Sequence, residues 1–241
     1  MKLICYLCNG YPSIEQSEKL ADQYMEAGCD VLEIDVPSHD PYLESDLIAG
    51  RMEMALKACD KDDAYLEEIA RIRRKYPQKE IIFLLYENTV ERIGVEKVVG
   101  FCRENGISDM IYVGMKHPDI KQKLIDGGIK VSCYVQYHLP EEEIEFAKHS
   151  NGFVYLQARP TTGNIKPGYE KLEDCIRYIR DQGIERPIYC GVGVHTEEDL
   201  KMVREAGADG AFIGSAILKV DDQPEKLMET IRNFKRACEL S

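Results

Sequence analysis

Ala27-Gly28-Cys29-Asp30-Val31-Leu32-Glu33-Ile34-Asp35-Val36-Pro37 joins a helix end, a glycine and a short apolar run, and the rest of the chain repeats this unit. Gly28 follows a helical pattern from Ile14 to Ala27 and suits the left-handed conformation that stops a helix. Val31 to Asp35 then reads as a buried strand, and Pro37 punctuates its exit. The same succession of helix, glycine and apolar strand recurs at Gly106, Gly128, Gly183 and Gly207.

Worked outward, the pattern predicts eight strands: Leu3 to Leu7, Val31 to Asp35, Ile81 to Leu85, Met110 to Val113, Lys130 to Val135, Phe153 to Leu156, Pro187 to Cys190 and Gly210 to Ile213. Helices are expected between them, at Ile14 to Ala27, Leu47 to Cys59, Ala64 to Lys75, Val95 to Asn105, Asp119 to Asp126, Glu141 to His149, Lys171 to Gln182, Glu197 to Ala206 and Gln223 to Cys238. Ser13 with Gln16 forms a capping-box start for the first. Alternating strands and helices imply a parallel sheet, and closing it leaves no exposed edge. The expected fold is α/β, a (β/α)8 TIM barrel forming a single domain over residues 1–241, because no linker or low-complexity tract interrupts the alternation. An open doubly wound sheet is the alternative.

Glu33 is out of place in such a strand. Burying an ionised carboxylate without partners costs several kcal/mol, so these groups are paired, protonated or used for chemistry. Side chains alternate along a strand, which puts Glu33 on one face with Val31 and Asp35 while Leu32 and Ile34 face the other way. In a (β/α)8 barrel, functional residues sit at the C-terminal strand ends and in the loops that follow. The loop after this strand carries Asp40, Glu44 and Asp46, any of which could supply a second carboxylate or simply lie in solvent. His39 reads as a loop residue, and a structural Glu33 paired with Lys or Arg is the plain alternative to a catalytic one.

The formal net charge of −12 argues against duplex nucleic acid or an anionic membrane surface as the main partner. A small phosphorylated ligand remains compatible with it, because a few backbone N–H groups bind phosphate locally. No apolar stretch approaches the length that spans a bilayer. The start, Met1-Lys2-Leu3-Ile4-Cys5, enters a strand without secretory-signal features, so the chain is expected to be cytoplasmic. The nine cysteines are scattered, and Cys5 and Cys8, three apart on a strand, point to opposite faces; no metal site is expected.

A second cluster of signals lies in the last third of the chain. Thr161-Thr162-Gly163-Asn164 follows the sixth expected strand, Gly191-Val192-Gly193 the seventh, and Gly214-Ser215 the eighth, opening a short helical stretch from Ala216 to Lys219. Loops after strands seven and eight, with a short extra helix, are where such barrels bind phosphate. Tyr6, Leu84, Tyr86, Tyr134 and Tyr155 fall on strands or at their ends and are candidates for an apolar pocket or for plain core.

Ile14-Glu15-Gln16-Ser17, the Ala27 to Glu33 segment and Val36-Pro37-Ser38-His39-Asp40-Pro41 resemble, in order and spacing, the N-terminal signature of the tryptophan synthase alpha subunit family. Tyr155-Leu156, Thr162-Gly163, Gly191-Val192-Gly193 and Gly214-Ser215-Ala216-Ile217 resemble its phosphate motifs. The resemblance implies a carbon–carbon/carbon–oxygen lyase of tryptophan biosynthesis that splits indole-3-glycerol phosphate into indole and glyceraldehyde 3-phosphate by retro-aldol cleavage. It implies Glu33 as general acid/base, Glu44 in place of the family's aspartate at the indole N–H, and Tyr155 as the tyrosine near the catalytic glutamate. Gly163, Gly193, Gly214 and Ser215 would hold the phosphate, and Tyr6, Leu84, Tyr86 and Val192 would line the substrate pocket. Neither a metal nor an organic cofactor is implied, and the implied partner is a tryptophan synthase beta subunit.

The departures define a divergent member. Asp35 stands where the family has a glycine, Tyr42-Leu43-Glu44-Ser45-Asp46 replaces the family's loop, and the usual helix before the first strand is absent. Gly114-Met115-Lys116-His117-Pro118 lacks the acidic, proline-flanked pattern that in the family meets the beta subunit. These departures keep two alternatives in view, a paralogue acting on another phosphorylated substrate and a non-catalytic regulatory subunit. Asp35 also carries an expectation of its own: like charges in one pocket raise a pKa, so Glu33 is expected to stay protonated near neutral pH.

Overall fold

The computed structural model describes residues 1–42, 44–114, 116–160 and 165–239. Its elements in chain order are β1 (Lys2–Leu7), α1 (Ile14–Ala27), β2 (Val31–Asp35), α2 (Asp46–Ala58), α3 (Asp62–Lys75), β3 (Glu80–Tyr86), α4 (Glu87–Ile93), α5 (Val95–Asn105), β4 (Asp109–Val113) and α6 (Pro118–Asp126). There follow β5 (Lys130–Val131), β6 (Cys133–Val135), α7 (Glu141–His149), β7 (Val154–Gln157), α8 (Leu172–Asp181), β8 (Ile188–Gly191), α9 (Glu197–Glu205), β9 (Gly210–Ile213), α10 (Ser215–Leu218) and α11 (Pro224–Glu239).

The chain forms two compact units. One comprises Met1–Cys5, Ala27–Cys29 and Ser132–Ser241, and the other comprises Tyr6–Glu26 and Asp30–Val131. In the first, the parallel strand order is β1, β9, β8, β7, β6. In the second it is β5, β4, β3, β2, again parallel throughout. Parallel neighbours require helical crossovers, and these the chain supplies, as the (β/α)8 class demands.

Two expectations need correction. The fifth expected strand, Lys130 to Val135, is broken at Ser132: Lys130–Val131 pairs with β4, whereas Cys133–Val135 pairs with β7. Each half follows a different neighbour, so one run of residues becomes two strands. The helix α4 was not anticipated, because its seven residues are too few to show a period, and Gly94, at φ +96°, ends it.

The glycine stops act as expected, and the Ser13 side of the expected capping box forms. Gly28, Gly106, Gly128, Gly183 and Gly207 all have positive φ, and the Gln16 N–H donates to Ser13 Oγ at 3.3 Å. Eight of the nine cysteines are buried.

The two faces of β2 and β3 part as alternation predicts. Ile34 pairs with Phe83, both wholly buried, and Phe83 meets Phe101 of α5 with ring centroids 5.9 Å apart, so this face packs on helices. Full burial of a side chain such as Phe83 stabilises the fold by about 1.5–3 kcal/mol. The other face carries Glu33 opposite Ile82, Asp35 opposite Leu84, and then Tyr86. That face holds the ionisable groups.

Candidate active site

In the second unit, Glu33 is 7% exposed and Asp35 is 0% exposed. Asp35 is fully engaged: Tyr6 Oη donates to its Oδ2 at 2.5 Å, and the Asn9 N–H donates to its Oδ1 at 2.9 Å. Asn9 Nδ2 also donates to the Asp35 carbonyl at 2.9 Å. Burial outweighs these bonds and lifts the Asp35 carboxyl to about 7. The Glu33 carboxyl, by contrast, has no hydrogen-bond partner among the described residues. Burial, then the charges of Glu44 and Asp35, hold its pKa well above the usual carboxylate range. The expected lift by Asp35 is therefore present, but burial is the larger cause.

Of the three loop acids, only Glu44 turns inward. Asp40 and Asp46 are exposed, as is His39. Glu44 accepts a hydrogen bond from Tyr86 Oη at 2.7 Å, and burial raises its carboxyl against the pull of that bond. Tyr6 and Tyr86, expected as pocket lining, thus each hold a carboxylate, and Leu84 is buried on the same face. A partnerless carboxyl beside a hydrogen-bonded one gives two acids in different environments, the arrangement that separates an acid from a base.

In the first unit, Gly193 adopts φ +91°, a region that only glycine enters without strain. Val192 before it has φ +59° and is exposed. Gly214, at φ −121° and ψ −88°, is the residue that precedes α10. Ser215 opens α10 and its Oγ lies 3.2 Å from His195 Nδ1. Gly163, the remaining expected phosphate ligand, lies outside the described residues.

Tyr155 stacks on Phe212 with centroids 4.4 Å apart and meets Tyr134 edge-on at 5.6 Å. A Cβ at Gly191 would fall 2.3 Å from Tyr155 Oη, so the glycine exists to admit this ring. Gly191→Ala is expected to destabilise the protein by about 1–3 kcal/mol, read by urea unfolding.

Three residues near the glycine turn escaped the sequence reading. Arg159 packs on Gly193, where a Cβ would come within 2.9 Å of the Arg159 Cβ, and its Nε donates to Asp199 Oδ1 at 3.0 Å. Asp199 also accepts from the backbone N–H groups of His195 and Thr196. Burial pushes its carboxyl up, but these donors outweigh it and hold it down at about 2. The third is His195, through Ser215. Thr196-Glu197-Glu198-Asp199 was legible as a capping box, whereas nothing local marked Arg159 or His195. A cavity of about 440 Å³ in this unit is lined by Tyr137, Arg159, Lys171 and Met202 among others, with neither Gly193 nor Ser215 in its wall.

The family profile described as tryptophan synthase alpha chain matches residues 1–240. The tryptophan synthase alpha chain of Campylobacter jejuni subsp. jejuni is 28% identical over 221 residues, covering 90% of this chain and 87% of its own. That of Methanopyrus kandleri is 28% identical over 232 residues, covering 94% and 83%. Among solved structures, a protein from Aquifex aeolicus VF5 aligns with a TM-score of 0.85 at 25% identity, covering 98% of this chain and 92% of that one. A tryptophan synthase chain from M. tuberculosis, in an aminoacrylate-bound form, aligns with a TM-score of 0.81 at 20% identity, covering 98% and 93%. The fold is the (β/α)8 TIM-barrel class expected from the sequence.

Proposed function

The chain belongs to the tryptophan synthase alpha chain family, whose members are lyases of tryptophan biosynthesis, and from this premise we propose that it cleaves indole-3-glycerol phosphate to indole and glyceraldehyde 3-phosphate. The observation that carries the reading is Glu33, a buried carboxyl on β2 with no hydrogen-bond partner among the described residues, whose pKa burial holds well above the usual carboxylate range. Glu33 gives its proton to indole C3. The bond from C3 to the glycerol chain then breaks, its electron pair staying with the ring, and the resulting carboxylate takes the proton of the adjoining hydroxyl as that carbon becomes the aldehyde. Glu44, fixed by Tyr86, accepts the indole N–H and favours the C3-protonated tautomer. General acid–base help of this kind contributes about 10²–10⁴-fold.

Gly193, Gly214 and Ser215, with Gly163, take the phosphate in this reading, and Tyr6, Leu84, Tyr86, Val192 and Tyr155 take the organic part of the substrate. No cofactor is required by these steps. The family normally pairs with a tryptophan synthase beta subunit. In this chain, the Glu87 carboxylate fastens the segment that would meet such a partner, accepting from the N–H groups of Lys116 and His117.

A second reading, a paralogue acting on another phosphorylated substrate, is favoured by one observation. The Tyr6–Asp35 pair places a polar couple among the expected pocket residues, at a position where the family has glycine. A pH–rate profile of indole release by the parent and by Asp35→Asn separates the two. Asparagine keeps the partners of Asp35 and removes its charge. Under the leading reading the alkaline limb, which reports loss of the Glu33 proton, moves to lower pH in the variant. The shift is smaller than that due to burial, which is the larger cause. An unmoved limb would detach Asp35 from the acid, and a parent that turns over other phosphorylated compounds but not this one would favour the paralogue.

A further inference from the structure

Glu68 is a buried acid that the reaction above does not use. It lies on α3 with 0% exposure. Its Oε1 is 2.6 Å from Ser17 Oγ on α1, and its Oε2 has no hydrogen-bond partner among the described residues. The groups acting on it are Ser17 and Glu18 from α1, Asp35 from β2 and Arg71 from α3, and the guanidinium of Arg71 is committed to Glu18 at 2.9 Å.

Counting protons around Ser17 assigns the short contact. The hydroxyl accepts from the Gly10 N–H at 2.9 Å and lies 3.1 Å from the Ile14 carbonyl and 2.6 Å from Glu68. It has one proton to give and two lone pairs to fill. If Glu68 is neutral and donates, Ser17 gives its own proton to Ile14, every position of the hydroxyl is satisfied, and the Glu68 Oε2 is left as an uncharged carbonyl oxygen. An ionised Glu68 would instead leave a charged oxygen without a donor in a site closed to water, which is the more costly state. Burial, the largest cause, lifts Glu68 to about 8, in the same sense.

Ser17 is also tied to the pocket strand. It holds Gly10, and the preceding residue, Asn9, gives both its backbone and side-chain N–H groups to Asp35. Hydrogen bonds and one peptide link therefore run from α3 through α1 and the loop after β1 to Asp35.

We propose that Glu68 is a positioning residue that carries a proton in the folded protein, its O–H fixing Ser17, Ser17 fixing the loop at Gly10, and the loop fixing Asp35. Its consequence for turnover rests on the reading of Glu33 as the acid, whereas its proton and its hold on Asp35 do not. Glutamine can donate as the neutral acid does, so Glu68→Gln is the conservative replacement, while Ser17→Ala cuts the tie without touching Glu68.

Urea unfolding at about pH 6 and about pH 9 tests the proton. A carboxyl raised in the folded state stabilises fully below its unfolded pKa, and that stability is lost as pH rises through its folded value, about 8 here. The parent should therefore lose more stability over this interval than Glu68→Gln, and equal losses would overturn the protonated assignment. Carboxyl ¹³C NMR titration of Asp35 tests the positioning. Its midpoint should stay in Glu68→Gln and move in Ser17→Ala, and a midpoint common to all three proteins would overturn it. For turnover, Glu68→Gln should keep kcat within about twofold and Ser17→Ala should lower it about tenfold with little change in KM. A parent that releases no indole fails the proposed reaction and leaves both titrations standing as the test of Glu68.

Discussion

Glu33→Gln is expected to lower kcat for indole release by about 10³-fold while leaving KM within a few-fold, because it removes a proton transfer made only in the transition state. Glutamine matches the glutamate in size, so the 7%-exposed site on β2 loses no packing. The variant should also be no less stable. Glu33 is held above the usual carboxylate range by burial and by the charges of Glu44 and Asp35, so the parent loses stability as pH rises through that raised value and the amide does not. Steady-state kinetics and urea unfolding of the two proteins check both halves. Activity within tenfold of the parent would return Glu33 to a structural role.

Gly193→Ala is expected to act on the other end of the substrate, raising KM by about 10–100-fold with kcat changed by less than about threefold. At φ +91° an added Cβ is strained, and it would meet the Arg159 Cβ at 2.9 Å. Left-handed backbone costs a side-chain-bearing residue about 1–2 kcal/mol, so the turn relaxes and its N–H groups leave their positions. A hydrogen bond to a charged group is worth about 1.5–3 kcal/mol, which sets the size of the effect. Phosphate is bound alike in ground and transition states, hence the change falls on KM. An unchanged KM would remove Gly193 from the phosphate site.

The βα repeat was legible because glycine stops and periodicity are local. Ile14–Ala27, Val95–Asn105 and Glu141–His149 have the same bounds by pattern and in the structure. The break at Ser132 was hidden, since strand partners decide it and the residues 130–135 carry no turn signal. In the loop after β2, composition could not tell Glu44 from Asp40 or Asp46; only the family resemblance singled it out. The physical selector is the Tyr86 hydroxyl on another strand.

The expected role of Asp35 was only partly legible. Alternation put it on the face of Glu33, but its bonds to Tyr6 and Asn9 come from residues whose neighbourhood to it depends on the fold. Glu68 was invisible for the same reason: in Leu66-Glu67-Glu68-Ile69 two adjacent acids look alike, and only helix packing buries one of them. Arg159 and His195 gained meaning only once the Gly193 turn placed them against Asp199 and Ser215.

The most direct test of the proposed reaction is the release of indole from indole-3-glycerol phosphate by the purified chain, followed by chromatography alone and with a tryptophan synthase beta subunit. Indole and glyceraldehyde 3-phosphate are expected in equal amounts, formed by the parent and nearly abolished in Glu33→Gln. No indole under either condition from a folded parent would contradict it.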